Sequence, residues 1–281
     1  MKKTMQEYTE LCLELSSVTT QRYSTSFTRG IKTLHSSYRP GIYAVYGWVR
    51  LADEIVDTFH KYNKRELLDN FKDATYQALK SGISTNPIIH SFQFTVHKYK
   101  IRQELIDAFL YSMELDLEKK TYDDTFYKTY IYGSAEVVGL MCLHVFCGDD
   151  VELYEKLVTP ARRLGAAFQK VNFLRDMKSD FQERGRVYFP GVDFSQFDNK
   201  LKKQIETEID EDFKAAYPGM MMLPKGVRPG VYTAFIYYRE LLKKIQAVPA
   251  SKVMSVRIRV PDHEKLLLLL RTYSKFRLSF S

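Results

Sequence analysis

Between residues 169 and 180 the chain reads Gln-Lys-Val-Asn-Phe-Leu-Arg-Asp-Met-Lys-Ser-Asp, and this stretch restricts the fold more than any other. Wound as a helix at about 100° per residue, it places Gln169, Asn172, Asp176 and Asp180 on one narrow face, with Ala167, Val171 and Leu174 behind them. Asn is a poor mid-helix residue because its amide competes for the backbone. Two Asp at i and i+4 repel by roughly 0.2–0.5 kcal/mol. A helix that accepts both penalties along one line has a reason to do so. Mg²⁺ carrying a polyphosphate suits the line, being a hard cation that takes one or two carboxylates and completes its octahedron with phosphate oxygens and water. Spacing alone does not establish this, since Asp69/Asp73 and Glu208/Asp212 share it in stretches that read as ordinary amphipathic helices.

A second site upstream supports the reading. Pro40-Gly41 opens a helical stretch over 41–59 in which Tyr46, Arg50, Asp53 and Asp57 share one face among Val45, Trp48, Val49, Ile55 and Val56. Buried carboxylates need a partner or a metal. An Arg50–Asp53 bridge is the structural alternative, but Asp57 and the adjacent Glu54 exceed what one arginine neutralises, and this favours metal.

The 281 residues can bury a substantial core, and a composition of 45% hydrophobic and 14% aromatic residues is globular. The net charge of +8 suits an anionic partner. No compact Lys/Arg run or RNA-binding signature accompanies it, so nucleic acid is not expected. The cysteines, Cys12, Cys142 and Cys147, are few, odd in number and without metal-ligand spacing. The N-terminal residues lack an apolar targeting core, and no apolar run approaches the ~18 residues a membrane span needs, so a cytoplasmic protein is expected.

Helical periodicity runs from end to end. Residues 4–22 read as a helix, followed by a hydroxyl cluster containing Ser24 and Ser26, which fits a helix cap better than a set of phosphate donors. Residues 64–80 and 87–99 read as connecting helices on the surface side. Residues 104–117 read as a buried helix with Asp107, Tyr111 and Asp116 among apolar neighbours. Tyr127 to Cys147 is nearly charge-free, and its small residues Gly133, Ser134, Ala135 and Gly139 allow a close approach. Thr159-Pro160 reads as a helix start, Thr as N-cap and Pro at N1, with the end near Gly185. Arg184 to Pro190 is a basic exit, either a cover for phosphate or a plain connector. Residues 198–216 and 228–247 are amphipathic, the latter with an aromatic stripe of the kind that is usually core. Residues 250–281 interleave leucines with basic side chains. This reads equally as a helix lying on an anionic bilayer or as one docked on the body, and Val256–Val260 alternates like a short strand.

The expected fold is therefore all-α, one helical domain over 1–281, with two acidic helix faces meeting across a central apolar cavity. A di-iron bundle shares that layout but needs Glu-x-x-His pairs, and no His here stands three residues after a Glu.

The arrangement resembles the squalene/phytoene synthase family of head-to-head isoprenyl diphosphate synthases, most of all its bacterial phytoene synthases. Tyr46-x-x-x-Arg50-x-x-Asp53-Glu54-x-x-Asp57 is similar to that family's first aspartate-rich motif. Gln169-x-x-Asn172-x-x-Arg175-Asp176-x-x-x-Asp180, preceded by Ala161 to Gly165 and followed by Gly185-Arg186-x-Tyr188-x-Pro190, resembles its second. Ser24-x-Ser26-Phe27, Tyr130-x-Tyr132-Gly133 and Tyr238-Arg239 also match, and the matches run in order from about residue 20 to 240. Departures are Tyr23 where a His often stands, Glu54 for an Asp, Ser179 for an acid, and Ser134-Ala135-Glu136 for Val-Ala-Gly.

The resemblance implies a Mg²⁺-dependent (or Mn²⁺-dependent) prenyltransferase that joins two geranylgeranyl diphosphates to 15-cis-phytoene through a cyclopropylcarbinyl diphosphate, without NADPH. It implies Asp53, Asp57, Asn172, Asp176 and Asp180 as metal ligands. Ser24, Ser26, Arg50, Gln169, Asn172, Arg175 and Arg186 are implied as diphosphate ligands, and Tyr130 and Tyr238 at the reacting end, where periodicity alone makes them core. Competing expectations are a farnesyl-using squalene or dehydrosqualene synthase, a terpene cyclase, and a non-catalytic assembly factor. Peripheral contact with the inner face of an anionic membrane would suit a lipid product.

Overall fold

Many helix starts follow local capping chemistry. Ser24, Asn63, Asp123 and Asp198 each accept a backbone N–H of the following turn and so open α2 (Thr25–Lys32), α4 (Lys64–Ser81), α7 (Asp124–Ile131) and α10 (Asn199–Met222). Prolines stand in the first turn of α3 (Arg39–Asp57), α5 (Pro87–Tyr99) and α11 (Arg228–Gln246). The remaining elements are α1 (Lys3–Tyr23), α6 (Gln103–Glu118), α8 (Val137–Cys147), α9 (Val151–Arg184), α12 (Ala250–Val253) and α13 (Asp262–Phe276). The computed structural model describes residues 3–118, 123–184, 188–189 and 197–276, and no strand occurs among them. The expected all-α architecture holds.

The first core layer forms around Trp48 on α3, which is fully buried. Its ring stacks on Phe92 at 4.1 Å and meets Phe109 at 4.9 Å, and its indole N–H donates to Thr75 Oγ1 at 3.1 Å. A buried indole thus keeps its hydrogen bond. This packing corrects one expectation. α5, which carries Phe92, is no surface connector: Ile89, His90, Ser91, Phe92, Gln93, Thr95 and Val96 are all buried. α6 is the buried helix expected, with Leu105, Ile106, Phe109, Leu110 and Met113 in the core, but of its three named polar residues only Asp116 is buried: Tyr111 is exposed and Asp107 accepts a bond from Tyr76 at the surface.

The second layer is α9 packed between α10 on one side and α8 on the other. Here the expected helix start at Thr159-Pro160 is overturned: α9 begins at Val151, capped by Asp150, whose carboxylate accepts the Leu153 N–H at 3.0 Å, and Pro160 lies inside it. A Cβ placed on Gly219 of α10 would come within 2.2 Å of Pro160 Cβ, so the glycine makes room for the ring. Side-chain packing here outweighs the local breaker signal.

The charge-poor stretch is one long rod, α7 and α8 joined by a π-helical turn at Tyr132–Glu136. Gly133 is obligatory in that turn, since an added Cβ would sit 2.5 Å from the Ala108 carbonyl oxygen of α6. Contrary to expectation, Asp124–Cys147 is long and apolar enough to cross a membrane. It is instead packed on α6 and α9, with Val137, Leu140, Met141 and Leu143 buried.

The two acidic pairs that share the site spacing differ from each other. Asp69 and Asp73 are exposed, as their pattern implies. Asp212 on α10 is only 1% exposed and accepts from Arg163 at 2.8 Å and from Lys170 Nζ at 2.8 Å, with Glu208 also on Lys170. Glu208/Asp212 therefore fastens α10 to α9 and is not an ordinary solvated face. Replacing Asp212 by Ala should cost about 3 kcal/mol, the low end for breaking a buried ion pair because Glu208 remains. Asp69→Ala should stay within about 0.5 kcal/mol. Urea unfolding of the two variants measures the contrast.

Candidate active site

A cavity of about 800 Å³ opens between α2, α3, α8, α9, α10 and α11, within the range of small-molecule sites. On α9 its wall runs from Leu157 to Arg175, about 27 Å at ~1.5 Å of rise per residue. One end is apolar, made by Leu34, Ile42, Leu143, Phe146, Leu157 and Leu223. The other end holds Tyr46, Arg50 and Asp53 of the first motif together with Gln169, Asn172 and Arg175 of the second. The two faces singled out in the sequence therefore meet over one space.

Polar side chains at that end are tied in series. Tyr238 O–H donates to Asn172 Oδ1 at 3.3 Å, Asn172 Nδ2 to Gln169 Oε1 at 3.4 Å, and Gln169 Nε2 to Ser134 Oγ at 3.5 Å. Arg175 Nε donates to Asp176 Oδ1 at 3.0 Å. Burial opposes the charge of Arg175, yet its bond to Asp176 and the nearby Asp180 hold its pKa above the ordinary value. Arg50 pairs with Glu54, one turn on. Burial pushes the Tyr46 phenol up to about 12 against the pull of Arg50. Tyr238 is likewise raised by burial, against Arg175. Both are neutral phenols at physiological pH.

Rings separate the polar end from the apolar one. Phe168 stacks on Tyr238 at 4.1 Å, and Phe27 meets Tyr46 at 5.6 Å and Tyr238 at 6.4 Å. All four line the cavity.

The remaining expected site residues fall in different places. Ser24 and Ser26 line the cavity mouth. Ser24 Oγ also accepts the Phe27 N–H at 3.2 Å, so the capping role read from the sequence holds for it. Asp57 is half-buried at the end of α3, one turn beyond the cavity wall. Asp176 flanks the mouth and Asp180 is buried a turn further on. Tyr130 lies behind α9, donating to Asp116 Oδ2 at 2.9 Å and stacked on Tyr188 and Phe173, and it does not line the cavity. Arg186 lies outside the described residues. Glu136, a departure from the family pattern, turns away to accept from Arg162 at 2.6 Å and leaves Ser134 and Ala135 on the wall.

Sequence reasoning missed the segment between α12 and α13. It is no strand. Arg257, Ile258, Arg259 and Val260 line the cavity, and Arg257 Nε reaches Asp176 Oδ1 at 2.9 Å. The basic residues were legible, but their destination depends on a chain reversal after α12 that carries no local signature. α13 then docks on α11 through Tyr237 O–H to the Lys265 carbonyl at 2.8 Å and Thr233 to Thr272 at 3.2 Å.

No group of three or more His, Cys, Asp or Glu side chains converges on a metal position among the described residues. The donors at the polar end are carboxylate and amide oxygens, with arginines beside them. Such a set suits a hard cation that arrives with a phosphorylated ligand and needs only one or two protein carboxylates, rather than a caged resident ion.

Two aspartate-bearing helix faces closing one end of an apolar cavity in an all-α domain define an isoprenoid-synthase-type protein. The squalene/phytoene synthase family model matches residues 20–264, and the chain belongs to that family. It is 26% identical to the phytoene synthase of Arthrospira platensis, over 92% of this chain and 90% of that protein. To the 15-cis-phytoene synthase of Synechocystis sp. it is 28% identical, over 94% and 84%. The fold is similar to that of a dehydrosqualene synthase in complex with ligand, with TM-score 0.82 at 21% identity, over 97% of this chain and 98% of the other. It is also similar to that of the squalene synthase HpnC from Alicyclobacillus acidocaldarius, with TM-score 0.74 at 20% identity, over 85% and 94%.

The Arg257–Asp176 contact has a direct consequence for the segment that carries it. Asp176→Ala should raise amide hydrogen exchange across residues 254–261 while leaving exchange in α3 and α5 unchanged.

Proposed function

We propose that this chain is a phytoene synthase, joining two molecules of geranylgeranyl diphosphate head to head. One observation carries the reading: Asp53 and Arg50 of the first motif and Gln169, Asn172 and Arg175 of the second stand at one end of a cavity whose α9 wall is apolar from Phe168 back to Leu157, about 17 Å by helix rise. Such a shape suits a diphosphate head with a long prenyl tail. The relatives named phytoene synthase support the same choice of substrate.

Arg50 and Arg175, joined by Arg257 and Arg259 from the C-terminal segment, would bind the diphosphates by charge-assisted hydrogen bonds. Ser24 and Ser26 would add neutral donors. Asp53, Asp57, Asn172, Asp176 and Asp180 would hold Mg²⁺, or Mn²⁺, which when bound supplies further positive charge to the leaving diphosphate. Stabilising that departing charge lets the first C–O bond break to an allylic cation. The double bond of the second substrate attacks the cation, and proton loss closes a cyclopropylcarbinyl diphosphate. Loss of the second diphosphate, rearrangement and a second proton loss give the C40 triene. Proton losses balance the two departing diphosphates, so no nicotinamide is required.

A cation of this kind reacts with any water present, and the apolar wall together with Phe27, Tyr46, Phe168 and Tyr238 keeps the reacting end dry. Ring faces stabilise a passing cation by roughly 0.5–2 kcal/mol. Tyr238, bonded to Asn172 and lining the cavity, would serve this role. Tyr130 would act on the far side of α9, through Phe173 and Asp116.

A cytoplasmic enzyme resting on the inner face of an anionic membrane fits the surface of α13. Leu266, Leu267 and Leu270 are 53%, 62% and 42% exposed there, next to the exposed Arg271. A farnesyl-using sister activity would use the same polar end and differ in how far the tail reaches.

Turnover with Mg²⁺ and without NADPH tests the reading. Geranylgeranyl diphosphate should give a C40 triene, at least about 10²-fold reduced in Asp176→Asn, and farnesyl diphosphate should be a poor substrate. A C30 product from farnesyl diphosphate alone would move the substrate and keep the chemistry. No hydrocarbon from either, with folded protein, would favour a non-catalytic role.

A further inference from the structure

Tyr23 ends α1 at the cavity mouth, immediately before the cap residue Ser24, and the residue is 51% exposed. It is also one of the positions at which the sequence departs from the family pattern. The Arg50 guanidinium carbon lies over this ring at 4.5 Å from its centroid. On its other side Arg50 donates through Nη2 to Glu54, whose carboxylate is buried. Its Nε is buried with no hydrogen-bond partner. Glu54 therefore holds one edge of the guanidinium and the Tyr23 ring covers its carbon, while Arg50 itself lines the cavity.

We propose that Tyr23 is the positioning residue for Arg50: its ring face holds the guanidinium in place at the mouth, so that the side chain is already ordered on the cavity wall when a diphosphate arrives. This rests on the reading of Arg50 as a diphosphate ligand given above. An arginine free to swing pays for ordering its side chain when the ligand binds. One already stacked and paired does not. The ring does this without adding a charge, and a guanidinium over an aromatic face is the preferred cation–π geometry. The phenol oxygen takes no part, which sets the ring apart from a hydrogen-bonding ligand.

The test is isothermal titration with inorganic pyrophosphate and Mg²⁺, on wild type, Tyr23→Phe, Tyr23→Leu, Arg50→Ala and the Tyr23→Leu/Arg50→Ala double variant. Tyr23→Phe keeps the ring and should bind within about twofold of wild type. Tyr23→Leu keeps apolar cover without the ring face and should bind about three- to tenfold more weakly. In the double variant the loss should equal that of Arg50→Ala alone, because the ring acts only through the arginine. Melting temperatures of all variants separate a binding loss from a loss of fold. Wild-type affinity in Tyr23→Leu while Arg50→Ala binds weakly would overturn the positioning role and leave the diphosphate reading intact. Additive losses in the double variant would also overturn it, since Tyr23 would then act independently of Arg50. Unchanged binding in Arg50→Ala would overturn the diphosphate reading of this residue and the inference with it.

Discussion

Charge at the mouth of an otherwise apolar cavity is the constraint on which this structure turns. Arginines gathered beside a low-dielectric space are costly unless each has an anionic or aromatic partner. Arg50 rests on Tyr23 and Glu54, and Arg175 and Arg257 share Asp176. These partners come from α1, α3, α9 and the segment before α13, so the mouth ties together elements from both ends of the chain. A diphosphate entering there meets cations already ordered, which reduces the entropy cost of binding.

The rest of the fold keeps the other end dry and the helix faces in register. The Trp48–Phe92–Phe109 packing fixes α3 on α5 and α6, which sets the rotation of Arg50 and Asp53. The Arg163–Asp212–Lys170 network fixes α9 on α10 and so sets the rotation of Gln169, Asn172 and Arg175. Lys170 directly follows Gln169, so the ionic clamp and the site face of α9 are opposite sides of the same helical turn. Close approach at Gly133 seats the π-helical turn on α6, and at Gly219 it seats α10 on α9.

Much of this was legible in the sequence because helix periodicity places side chains without reference to the tertiary fold. The two polar faces, the capping role of Ser24, the aromatic stripe of α11 and the all-α class follow from spacing alone. Failures arose where packing outweighed a local signal. Pro160 looked like a helix start because nothing nearby in sequence reveals Gly219 opposite it. α5 looked like a surface helix because its polar residues, His90, Gln93 and Thr95, find partners only once buried, as with Thr9 on the His90 ring at 3.0 Å. Arg257 and Arg259 looked like part of a basic terminal helix because the reversal that brings them to Asp176 is a long-range event. Asp57, Asp176, Asp180 and Tyr130 matched a motif but lie off the cavity wall, because a motif fixes spacing along a helix and not where the cavity ends.

The most direct measurement is a crystal structure with a geranylgeranyl thiodiphosphate and Mn²⁺, located by anomalous scattering. The account predicts a manganese signal between the thiodiphosphate and the Asp53 and Asn172 side chains, thiodiphosphate oxygens on Arg50 and Arg175, and the prenyl tail running past Phe168 toward Leu143 and Phe146. A thiodiphosphate bound away from both motifs, or a tail lying outside the cavity, would contradict it.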